Sequence, residues 1–90
     1  MKNILVRFYA PQELFPDEVI EGGISDKQII DTCFLIGKFK SEESALYAYA
    51  ETPCTWSRLM NEEDDIQAFI KEAWQHIKNN DIDWLEENFT

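Results

Sequence analysis

The chain has 90 residues, enough for one hydrophobic core and too few for two, and its 44% hydrophobic and 13% aromatic content excludes disorder. Eighteen acids against eight bases give a net charge of −10, which argues against direct binding to nucleic acid or an anionic membrane and favours a basic protein partner. The excess is uneven: residues 1–40 carry six acids and five bases, residues 41–90 twelve and three, so a charge-reading surface belongs mainly to the second half.

The first element reads as a strand. KNILVRFYA alternates Ile4, Val6 and Phe8 with Leu5, Arg7 and Tyr9, and the first three form its core face. No basic segment followed by an apolar run opens the chain, and no apolar run approaches the ~18 residues of a membrane span, so a cytoplasmic protein is expected. PQELFPDEVIEGG follows, with Pro11 and Pro16 as start signals and Gly22-Gly23 as a stop, which predicts an irregular segment holding one helical turn.

SDKQIIDTCFLIGKF supports two readings. Ser25 and Gln28 have the spacing of a capping box, with Gly37 available to close a helix, yet Ile29, Ile30, Thr32, Phe34 and Ile36 prefer strands. The favoured expectation is a strand over about 29–39, because KSEESALYAYAE then supplies Ser41 as an N-cap and two glutamates for a first helical turn. Pro53 in TPCTW ends that helix, and SRLM is too short to assign.

From Asn61 the pattern is helical. Ile66, Phe69, Ile70, Ala73, Trp74 and Ile77 share one face, predicting a helix over about 62–79 with Glu62 and Glu63 in its first turn, where carboxylates meet the positive end of the helix dipole. Asn79-Asn80-Asp81 ends it and caps a short terminal helix, DIDWLEENF, whose buried stripe is Ile82, Leu85 and Phe89. No repeat, low-complexity segment or linker divides the chain. The expected architecture is a single α+β domain over residues 1–90, with two or three β-strands in the N-terminal half packed on one sheet face against two or three α-helices in the C-terminal half.

Catalytic chemistry is not signalled. His76 is the only histidine, which excludes a His-based metal cluster, and its i+4 spacing from Glu72 suits a surface ion pair. Gly22, Gly23 and Gly37 form neither a P-loop nor a GxGxxG turn, and NEEDDIQAF lacks the glycine of a calcium loop. Cys33 and Cys54 have no CxxC spacing and are expected to stay reduced, Cys33 as core packing. No catalytic residue, metal or cofactor is expected, and the chain does not read as an enzyme.

What the sequence does offer is a set of acids around two aromatics. At 100° per residue Tyr47 points away from Ala45, Leu46, Tyr49 and Ala50, with Glu43 and Glu51 at i−4 and i+4 on its own face. Trp84 falls opposite the terminal helix's buried stripe, near Asp83 and Glu87, while Asp65 and Glu72 lie on the solvent face of the long helix. Exposed aromatics anchor interfaces, and an arginine can stack on the ring while pairing with the acids. The candidate partner-binding residues are therefore Glu43, Tyr47, Glu51, Asp65, Glu72, Asp83, Trp84 and Glu87. The ordinary alternative is a solvated acidic face, with single exposed aromatics that need no explanation.

The expected function is that of a small acidic proteinaceous inhibitor that blocks a basic site on a nucleic-acid-handling protein, a nuclease or a component of a nucleoprotein complex. Phage anti-CRISPR or anti-restriction proteins and toxin-immunity proteins are such domains, and the likeness is one of size and charge. A strict DNA mimic fits less well, because Glu62 and Glu63 fall on the core side of the predicted helix. The alternative is a non-enzymatic interaction adaptor or accessory subunit of a larger assembly.

Overall fold

The computed structural model describes residues 1–14, 23–51 and 53–89. Strand β1 spans Ile4–Phe8, and the expected helical turn after it is present as α1, Pro11–Leu14. Residues 15–22, which include Pro16 and Gly22 of the predicted irregular segment, lie outside the described residues.

Both readings of SDKQIIDTCFLIGKF are partly realised, and the single strand over 29–39 is corrected. Helix α2, Asp26–Thr32, opens on the capping box: Gln28 N donates to Ser25 Oγ at 3.2 Å and Ser25 N donates to Gln28 Oε1 at 3.0 Å. With two N-terminal amides satisfied reciprocally, the cap outweighs the strand preference of Ile29 and Ile30 for one turn more. Cys33 ends the helix and strand β2, Phe34–Lys38, follows at once, so Gly37 lies inside a strand and closes no helix.

Helix α3, Glu42–Glu51, starts where Ser41 was expected to cap it, with Ser44 N donating to Ser41 Oγ at 3.1 Å. SRLM proves to be most of a third strand, β3, Trp56–Met60. The sheet has the order β2-β1-β3, with both neighbours antiparallel to β1. Strands β2 and β3 are therefore parallel to each other across β1, and α3 is the crossover that such a pair requires. The third strand thus belongs to the second half of the chain, after α3.

The registers place Ile4, Val6 and Phe8 on one face with Phe34, Trp56 and Met60, and Leu5 and Arg7 on the other with Leu35, Gly37, Ser57 and Leu59. The first face holds the main core, where β1 meets Ile29 and Cys33 from α2, Phe69, Ile70 and Ala73 from the long helix, and Leu85 and Phe89 beyond it. Helices were expected on this face alone. Helix α3 instead packs on the opposite face against β1 and β3, and Leu5 and Ala45 are both fully buried there. That second layer explains why Leu5, on the side expected to be polar, is as dry as Val6. Each such side chain contributes roughly 1.5–3 kcal/mol through burial.

The long helix, α4, spans Ile66–Lys78 and the terminal helix, α5, Ile82–Asn88. The α4 start is later than predicted, because Asp65 is the N-cap, accepting from Ala68 N at 3.1 Å, and the first turn contains no acid. The residues before it close a turn of their own, in which Asn61 N donates to Asp64 Oδ2 at 2.9 Å and Asp64 N to Asn61 O at 3.1 Å. Glu62 and Glu63 thus do not meet the helix dipole as predicted. Between the two helices Asn80 adopts φ 55°, the left-handed conformation that asparagine tolerates best after glycine. No helix among the described residues is long and apolar enough to cross a membrane.

Candidate functional site

Helix α3 carries the most exposed aromatic side chain described. Tyr47 is 70% exposed, and Leu46 beside it 49%. The sequence of the helix, EESALYAYAE, contains three acids and no base; its inward positions are filled by small Ala45 and half-buried Ala48 and Tyr49, and all three glutamates are exposed alongside Leu46 and Tyr47. Leu46, expected on the buried side, lies toward the helix flank. Glu43 and Glu51, one turn either side of Tyr47, are exposed, and neither belongs to an ion pair among the described residues.

The flank bearing Leu46 borders a cleft of about 410 Å³ over β3, lined by Glu42 and Leu46 of α3, Arg58 and Leu59 of β3, Glu87 and Asn88 of α5, and Lys2. Arg58 crosses its floor: the guanidinium sits 4.7 Å from the Phe69 ring centre, and Nη1 donates to Asn88 O at 3.3 Å. Two acids and two bases make the cleft locally neutral, whereas Glu43 and Glu51 on the outer face of α3 pair with no cation among the described residues. Through this cleft the fold brings Glu87 to α3, a proximity that nothing in the spacing of residues 43, 47, 51 and 87 reveals.

The remaining candidates separate. Asp65 and Glu72 are on α4, on the other side of the sheet from α3; both are exposed, and Asp65 has the structural task of capping its helix. Asp83 is exposed in the first turn of α5. Trp84 is not the exposed anchor that the terminal pattern implied. Its ring stacks on His76 at 4.0 Å with 4° between the planes, and it lies 6.2 Å from Phe69 and 6.3 Å from Phe89. Ile82, expected in the buried stripe, is 42% exposed instead. The cause is the reversal at Asn80: positions 76 and 84 stand four residues either side of it, so the two helices fold back and bring these rings face to face. That symmetric spacing was the available signal.

His76 likewise pairs differently from the expectation. Its Nδ1 lies 3.0 Å from Asp81 Oδ2, and the ion pair with Glu72 is not among those of the described residues. Asp81 also caps α5 through Oδ1, accepting from Trp84 N at 3.4 Å, so one carboxylate ties the histidine to the following helix. The cysteines are free: Cys33 is fully buried, and burial pushes its thiol pKa up, which makes it unreactive. No group of three or more His, Cys, Asp or Glu side chains suited to a metal ion occurs among the described residues.

No protein-family model matches the chain, and no curated protein or solved structure matches it. The functional reading therefore rests on the surface itself.

Proposed function

We propose that this protein is a small acidic inhibitor that docks the outer face of α3 onto a basic site of a nucleic-acid-handling protein, such as a nuclease or a component of a host-defence nucleoprotein complex. The observation that carries the reading is Tyr47, 70% exposed between two glutamates that form no ion pair among the described residues. A partner arginine stacked on the ring and paired with Glu43 or Glu51 would gain both interactions at once. The net charge of −10 would speed encounter with a basic surface, while Tyr47 and Leu46 would slow departure. The protein would act by occupying the site and not by catalysis, in the cytoplasm, where its two free cysteines remain reduced.

The test is a pull-down from the lysate of the natural host or its target organism, followed by an inhibition assay on the retained nuclease or complex. Tyr47→Ala is expected to weaken binding by roughly 30-fold or more, the loss typical of an interface hot spot. The triple reversal Glu43→Lys, Glu51→Lys, Glu87→Lys should abolish inhibition with the circular dichroism spectrum unchanged. Asp65 is left out of this set because reversing it would remove the α4 cap. Full inhibition by the triple variant would refute the reading. Retention of a non-basic assembly, insensitive to salt, would replace it with the adaptor or accessory-subunit reading.

A further inference from the structure

Strand β2 forms one margin of the sheet, and no other strand pairs with it among the described residues. Its backbone polarity follows from two hydrogen bonds at its ends: Tyr9 N donates to Cys33 O at 3.0 Å and Phe39 N to Asn3 O at 2.9 Å. In an antiparallel ladder the bonded pairs alternate, so residues 33, 35, 37 and 39 bond to β1, while the N–H and C=O groups of Phe34, Ile36 and Lys38 point outward. The side chains at this margin are apolar as well. Leu35 is 44% exposed on one face and Ile36 45% on the other. A strand edge of this kind, with unpaired backbone groups and adjacent exposed apolar residues, is a template for pairing with another strand.

We infer that the occupant is a second copy of this chain, joined antiparallel along β2 about a two-fold axis through Ile36. Three features of the strand are self-complementary in that arrangement. First, only the register that sets Ile36 against its own copy pairs all three outward residues, Phe34 with Lys38 at both ends, and it supplies about six backbone hydrogen bonds. Second, the same register sets each exposed Leu35 beside Gly37 of the other copy, where the Phe39 ring lies over the glycine, 3.3 Å from where a Cβ would stand, and gives the leucine an apolar surface to meet. Third, the charge is suitable. Phe34–Lys40 carries Lys38 and Lys40 and no acid, on a chain whose net charge is −10, so like charges repel least along this margin. The antiparallel arrangement brings the lysine end of one strand to the end preceded by Asp31 in the other. The two Lys38 residues stand four residues apart along the ladder, about 14 Å, which exceeds the Debye length at physiological salt. The product is a continuous six-stranded sheet of order β3-β1-β2-β2-β1-β3, with the two α3 faces at its far ends.

Sedimentation equilibrium across a range of concentrations, combined with hydrogen-exchange NMR on the same samples, tests this directly. The expected mass is twice 10.6 kDa at high concentration. Raising salt should strengthen the association by screening repulsion between the two acidic bodies. The amides of Phe34, Ile36 and Lys38 should gain protection in step with the dimer fraction. Ile36→Lys, which places two ammonium groups at the two-fold axis, should give a monomer with an unchanged circular dichroism spectrum. A wild-type protein that stays monomeric throughout overturns the proposal, and so does a dimer in which those three amides exchange freely. The exchange measurement needs no variant, so a misfolded Ile36→Lys protein does not spoil the test.

Discussion

Asn3 is the only buried polar side chain among the described residues, 2% exposed at the start of the central strand. Its Nδ2 donates to Phe39 O at 3.0 Å and to Glu62 Oε1 at 2.7 Å, so one amide holds together the end of β2, the turn before α4 and the first residues of β1. The Asn3 hydrogen bond and then the Lys38 ammonium at 3.4 Å keep the Glu62 carboxyl below its ordinary value of 4.5. Asp26 is lowered in the same way by Lys78, whose ammonium lies 2.9 Å away. A carboxyl whose pKa is lower when folded stabilises the fold above its unfolded value and loses that contribution as pH falls through the folded one. Glu62→Gln keeps an acceptor for Asn3 but cannot ionise. The wild type should therefore melt at a higher temperature than Glu62→Gln at pH 7, and the gap should close below about pH 4. Thermal melts of both proteins over that range check it; a gap that widened with acid would show that the carboxylate is not held by these partners.

The caps decide where several helices begin. Asp65 accepts from Ala68 N at 3.1 Å at the head of α4, the helix that contributes Phe69, Ile70 and Ala73 to the core. Asp65→Ala should cost about 1 kcal/mol, or roughly 4–8 °C in Tm for a domain this small, whereas Asp65→Asn should retain most of the stability. Denaturant unfolding of the two variants separates cap from charge. The same elements show what the sequence discloses. The α4 stripe is legible because its apolar spacing is strictly helical, and the Ser25–Gln28 capping box is legible as a motif. The start of α4 is not, since four consecutive acids allow several caps and only the side-chain geometry selects Asp65. Strand β3 is hidden for a different reason: WSRLM is half-buried along an edge and held by its register with β1, so its five residues show no alternation. In the candidate site the exposure of Tyr47 follows from local helical periodicity. The burial of Trp84 does not, because it depends on the reversal at Asn80 and on a ring eight residues earlier. Nor is the layer beneath α3 written into β1, where Leu5 reads as the outward partner of Arg7.

At the scale of the molecule the charges are poorly compensated. Eighteen acids meet eight bases, and the short lysine–carboxylate pairs among the described residues are Lys38–Glu62 and Lys78–Asp26. Exposed pairs of this kind contribute about 0–1 kcal/mol each, so self-repulsion is the larger electrostatic effect. Raising sodium chloride from low millimolar to several hundred millimolar should increase Tm, as scanning calorimetry would show; a decrease would mean that paired acids dominate the surface.

The position of β1 also governs how the chain reaches this structure. Of the three described strands the central one precedes both its partners in the chain, and these lie far from it: Ile4 pairs with Lys38 on one side and Met60 on the other. Until residue 60 has left the ribosome, ILVRF has at most one neighbour and the layer over Leu5 lacks the strand on which α3 rests. Such sequence-distant pairings slow folding, because loop closure precedes any stabilising contact. The apolar segment ILVRF thus waits for its complete surroundings, and the nascent chain must keep it from other strands until Trp56–Met60 arrives.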